Sequence, residues 1–151
     1  MKKQDYTATM VANASKKTAM NAITAVEKWW TANIDGKTES LNDVFTVHFG
    51  ETFVTFKVVE SIKGEKLVWL VTDCYLHWLK DKREWKGTKL NFDLATEKGL
   101  TQITFTHVGL HPEIECYNDC RKGWDQYIKD SLLKLIIEGH GSPEKKQMQL
   151  S

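Results

Sequence analysis

Tyr117-Asn118-Asp119-Cys120-Arg121-Lys122-Gly123-Trp124-Asp125-Gln126-Tyr127-Ile128-Lys129-Asp130-Ser131-Leu132, continuing through Leu135 and Ile136 to Glu138, is the stretch that decides the fold. Apolar or small residues recur at Tyr117, Cys120, Trp124, Tyr127, Ile128, Ser131, Leu132, Leu135 and Ile136. That spacing lays one face of a single long helix against a core and leaves the other face wet. Such a face needs a sheet to cover, and the residues before it supply one. In Thr101 to Val108, Ile103, Phe105 and His107 share one side while Gln102, Thr104 and Thr106 take the other, so His107 points with the core residues. Thr88 to Ala95 alternates in the same way, with Leu90, Phe92 and Leu94 inward. Lys66 to Leu76, Thr52 to Ser61 and Val44 to Phe49 read as earlier strands, joined by turns at Gly50-Glu51, Lys63-Gly64-Glu65 and Glu97-Lys98-Gly99. Connections this short make neighbours antiparallel, because parallel pairs need crossovers of about a dozen residues or more.

The two ends complete the pattern. Tyr6 to Ala12 alternates with period two and reads as the first strand. Ser15 is placed to cap a helix through Ile23, followed by a second short helix, Ala25 to Trp30, and the Asp35-Gly36 turn signal ends the helical region. His111-Pro112-Glu113 breaks the last strand, and Glu113 and Glu115 stand near the positive end of the final helix. Gly139-His140-Gly141-Ser142-Pro143 stops it. The expectation is an α+β fold: a curved antiparallel sheet of about six to seven strands wrapped around a long C-terminal helix, with two short helices after strand one. Residues 1–141 read as one domain and 142–151 as a polar, flexible tail.

Composition narrows the function classes. A chain of 151 residues is one domain in size and can build its own core. Lys and Arg total 21 against 20 for Asp and Glu, a net charge of +1, which leaves no electrostatic footprint for nucleic acid. No apolar stretch is long enough for membrane insertion, and no secretory signal pattern stands at the N-terminus, so a cytoplasmic location is expected. Three cysteines, an odd number, do not read as a disulfide framework.

The motifs carry a resemblance. Trp29-Trp30 with Asp35-Gly36, then Glu84-Trp85-Lys86-Gly87-Thr88, then Thr101 to Leu110, then Glu115-Cys116-Tyr117, Cys120, Gly123-Trp124, Ser131-Leu132 and Gly139-His140-Gly141-Ser142-Pro143 follow one another in a familiar order. In that order the chain resembles the START-like, or SRPBCC, helix-grip superfamily, and within it the bacterial single-domain proteins similar to the activator of the Hsp chaperone ATPase. The resemblance covers nearly the whole chain and implies a cavity between sheet and final helix, which in relatives holds sterols, lipids, polyketides or other apolar small molecules. No cofactor is expected. Chaperone-binding function is discounted, because the eukaryotic activator has an additional domain.

On that reading the partner is a small apolar or amphipathic molecule, and the residues expected to line its site are Trp69, Tyr75, Phe92, Phe105, His107, Trp124, Tyr127, Ile128 and Ser131. Trp78 and Trp85 extend the aromatic set. Gly123 is expected to let the helix backbone approach the sheet closely, bringing Trp124 inward. A cyclase- or hydratase-type enzyme using His107 as acid or base, with Asp73 or Tyr127 as partner, is the first alternative. Against it stands a buried neutral imidazole bonded to a backbone carbonyl, Tyr117 or Ser131. His107, His111, Cys116 and Cys120 offer ligand types that zinc prefers, but their spacing is not that of a structural zinc site, and semi-buried hydrophobic cysteines are the simpler reading. Trp29 and Trp30, as neighbours on a helix, cannot both point inward. One of them is expected to be exposed or at an interface, either in a homodimer or in a chaperone- or stress-related interaction module, although isolated exposed aromatics are ordinary.

Overall fold

The computed structural model describes residues 5–77, 79–111 and 117–143. Trp78, Glu113, Glu115, Cys116 and the tail from Glu144 onward lie outside the described residues. The chain runs β1 (Tyr6–Ala12), α1 (Lys16–Thr24), α2 (Val26–Trp29), β2 (Ile34–Gly36), β3 (Val44–Phe49), β4 (Thr52–Ile62), β5 (Lys66–Tyr75), β6 (Lys89–Glu97), β7 (Leu100–Val108) and a terminal helical rod. The rod begins as α3 (Tyr117–Trp124), passes through a π-helical segment (Asp125–Leu132) and ends as α4 (Leu133–Glu138). The architecture is α+β, with one antiparallel sheet in the order β1-β7-β6-β5-β4-β3-β2.

The sheet curves for a local reason. Between β4 and β5 the register slips at Thr55/Phe56 and again at Val58/Glu60, and each irregularity adds bend and twist to the strand that carries it. On the inner face Tyr6 lies opposite His107, Ala8 opposite Phe105 and Met10 opposite Ile103. Those pairs continue into Leu90 and Phe92 on β6 and Trp69 on β5, all fully buried. The rod covers that face with Cys120, Trp124, Ile128, Leu132, Leu135 and Ile136, the stripe expected from its periodicity. Two contacts fasten it. The Tyr6 phenol donates to the Asp125 carboxylate at 2.5 Å, and the Ser131 hydroxyl donates to the Trp29 carbonyl at 2.7 Å while accepting from the Ser142 amide at 2.7 Å.

Three expectations need correction. Asp35-Gly36 is not simply a turn but the end of the short edge strand β2, paired with Thr46 and Phe45. Gly36 has φ +105°, and a Cβ there would stand 2.2 Å from the Val44 carbonyl oxygen, so only glycine permits this approach. Secondly, Trp29 and Trp30 are both buried, at 0% and 4% exposure. Trp30 keeps helical backbone angles and its amide bonds the Val26 carbonyl, so both rings are buried because core covers both sides of this single-turn helix, not because the helix breaks. Their rings then stack at 5.8 Å, with Trp29 facing Phe92 and Trp30 facing Phe49 and Phe56. Thirdly, Cys120 is disulfide-bonded and Cys74 is the free cysteine among the described residues.

Candidate functional site

At one end of the grip the rod and sheet do not meet completely, and a cavity of about 230 Å³ remains. Its helical wall is Cys120, Gly123, Trp124 and Tyr127. The sheet side is Phe49, Thr52 and Val54, at the hairpin between β3 and β4. Trp30 closes it from α2, Leu76 and Trp85 from the loop after β5, and Asp119 stands at the rim. The lining is overwhelmingly carbon, as expected of a site for an apolar guest. A larger surface hollow of about 640 Å³ lies between α1, α2 and the segment around β2, but it is lined largely by polar side chains such as Asn21, Thr24, Glu27 and Lys37. The aromatic cavity is the better-built site.

Gly123 has a different role from the one its position suggests. A Cβ added there meets nothing within 4 Å, so the glycine does not permit close backbone approach. It leaves the cavity empty at that point.

Trp124 is held by a hydrogen-bond chain. Its indole N–H donates to His107 Nδ1 at 3.0 Å, and His107 Nε2 lies 2.9 Å from Thr88 Oγ1. The Thr88 hydroxyl spends its proton on the Trp85 carbonyl at 2.6 Å. Thr88 can therefore only accept from His107, which assigns the proton to Nε2 and makes the ring neutral. Complete burial with no opposite charge lowers the His107 pKa from 6.5 to about 3. Trp85 packs edge-on to this imidazole at 4.6 Å and stacks on Trp124 at 5.7 Å. Two of the three indoles that face the cavity, Trp85 and Trp124, are thus locked by a histidine behind them.

No family model matches the sequence, and no curated protein matches it. Solved structures do. The chain superposes on Aha1 from Colwellia psychrerythraea, described as a dimer in solution, with a TM-score of 0.73 at 23% identity, covering 91% of this chain and 99% of that one. MLL2253 from Mesorhizobium loti gives 0.68 at 15% identity over 89% and 98%. CalU16 from Micromonospora echinospora gives 0.61 at 11% identity over 86% and 73%. The fold is the helix-grip fold of Aha1.

Within this Aha1-like grip the residues expected at the site divide sharply. Trp124 and Tyr127 line the cavity. Trp69, Phe92, Phe105, His107, Ile128 and Ser131 do not; all are at most 2% exposed and packed in the core. Trp69 meets Phe45 and Phe92 edge-on at 4.9 Å, and its indole N–H finds no acceptor among the described residues. Phe105 backs Trp124 at 4.8 Å. Ser131 ties the rod to α2, and Tyr75 lies against Phe53, with the Lys82 ammonium 5.7 Å above its ring. Alternation could identify inward side chains but not where packing ends and the hollow begins. Trp30, Phe49, Thr52 and Leu76 were missed as lining for that reason, although Trp30 carried a signal as a second consecutive tryptophan with no solvent-compatible face.

Both His107 nitrogens are engaged, by Trp124 and Thr88, and Asp73 pairs with Arg83 at 2.5 Å. Cys120, in a disulfide, is no thiolate ligand, and among the described residues no three His, Cys, Asp or Glu side chains converge on a metal position. Among those residues, too, no helix is long and apolar enough to cross a membrane.

Proposed function

We propose that the protein binds a small apolar or amphipathic molecule, non-covalently, in the cavity between the rod and the β3–β4 end of the sheet. The observation that carries this reading is a carbon-lined hollow of about 230 Å³ kept open by Gly123 and walled by indoles fixed from behind. An engineered apolar cavity of roughly 150 Å³ holds benzene, and drug-sized sites run from about 300 to 1,000 Å³. A guest of one or two rings fits a hollow of about 230 Å³; a sterol or a phospholipid is too large for it. The interaction-module alternative invoked an exposed tryptophan, and both members of the Trp29-Trp30 pair are buried. Self-association is a separate proposal, resting on the dimer described for the Colwellia protein. Light scattering that returns 17.4 kDa at every concentration overturns it.

The test is a plug. An added Cβ at Gly123 meets open space, so Gly123→Leu should fold with its side chain in the cavity, which a thermal melt checks. Calorimetric titration with indole should give binding to the parent and at least a tenfold loss in the variant. Equal binding to both would place the guest elsewhere.

A further inference from the structure

The ring walls of the cavity form one continuous series. Trp85 contacts Trp124 at 5.7 Å, Trp124 contacts Trp30 at 5.0 Å, Trp30 contacts Phe49 at 5.7 Å and Phe49 contacts Tyr127 at 6.2 Å. Five rings bent around a hollow of about 230 Å³ make a horseshoe, an arrangement that offers an aromatic guest both stacked and edge-to-face contacts.

Two polar groups join that lining, and neither is spent. Thr52 is 7% exposed; its Oγ1 accepts from the His77 amide at 3.1 Å, and its own proton has no acceptor among the described residues. It offers one interior hydrogen bond to a ring heteroatom or hydroxyl. Asp119, in the first turn of α3, is exposed at the rim and forms no ion pair among the described residues. Among the described residues neither lysine nor arginine lines the cavity, and nearby Arg121 turns instead to Asp125 at 3.6 Å. An anionic guest would meet a carboxylate and ring faces with no counter-charge. A cationic one meets a carboxylate at the mouth, where its ammonium keeps part of its hydration and the desolvation cost stays small.

Resting on the reading of this cavity as a binding site, we propose that the guest is a small arylalkylamine, its one or two fused rings in the horseshoe and its ammonium at Asp119. Size sets the ring count, the horseshoe sets the aromatic body, and the unpaired carboxylate sets the sign of the charge.

The experiment is calorimetric titration of the full chain and Asp119→Asn with three probes sharing one ring system: indole, tryptamine and indole-3-acetate. Tryptamine should bind about threefold tighter than indole, the scale of a solvent-exposed ion pair, and indole-3-acetate should bind weakest. In Asp119→Asn the ratio of tryptamine to indole affinity should fall to about one. Indole binding with no tryptamine preference, or a preference that survives in Asp119→Asn, overturns the amine assignment and leaves the cavity reading standing. Failure of all three probes at millimolar concentration overturns both.

Discussion

His107 is the residue around which the site is organised, although it never faces the cavity. Alternation along the last strand already placed it inward; its partners could not be read that way, because Thr88 and Trp124 reach it only through the β6–β7 register and the seating of the rod. Above pH 6.5 the imidazole is neutral in folded and unfolded chains alike and contributes no pH dependence. As pH falls, the unfolded chain takes up a proton that the folded ring, with its pKa near 3, refuses. Stability is therefore lost progressively between pH 6.5 and 3, by about 2 kcal/mol from this group at pH 5. Denaturant melts of parent and His107→Gln at pH 7 and pH 5 should show a shallower loss in the variant; equal slopes would contradict a buried neutral histidine. Tyr6 gives a second residue-scale expectation. Burial and the Asp125 carboxylate push its phenol well above the ordinary range. Tyr6→Phe removes a hydrogen bond to a charged acceptor that Arg121 and Lys129 also neutralise, so urea unfolding should register a loss of about 1–2 kcal/mol.

Among the elements, the terminal rod was legible in extent and face but not in kind. Periodicity of 3.6 fits its buried stripe, yet the Leu133 amide reaches back to the Ile128 carbonyl, a five-residue step that defines the wider π turn. Side-chain type does not distinguish that step from an α turn, whereas seating the rod between Tyr6, Trp29 and the cavity does. Gly123 lies just before it, and Gly123→Ala should raise stability by about 1 kcal/mol through helix propensity, since nothing obstructs the added methyl. A loss in thermal melts would mean that the backbone there packs more closely than the structure has it. Gly36 is the contrary case. Its φ of +105° and the 2.2 Å approach to Val44 make Gly36→Ala destabilising, with the damage confined to the β2–β3 edge. Hydrogen exchange should show lost protection at His48 and Lys37, whose amides bond across that edge, before any change in the sheet centre.

At the scale of the whole molecule, the grip was readable because short turns force antiparallel neighbours and a late amphipathic helix needs a sheet to cover. The cavity was not readable in detail. It exists where the rod's first turns part from the β3–β4 hairpin, and its lining draws on the residue after α2, a loop and two strands that no sequence period connects. Hence the inward aromatics of the sheet centre, Trp69, Phe92 and Phe105, were indistinguishable from lining until their packing was seen. Six tryptophans make the central claim directly measurable, because each indole N–H gives its own resonance in a 15N-correlated proton spectrum. Titrating indole into the labelled protein should shift the signals of Trp30, Trp85 and Trp124, which border the hollow, and leave those of Trp29 and Trp69 in place. An unchanged spectrum at saturating indole, or shifts confined to Trp29 and Trp69, would contradict a binding cavity at this end of the grip.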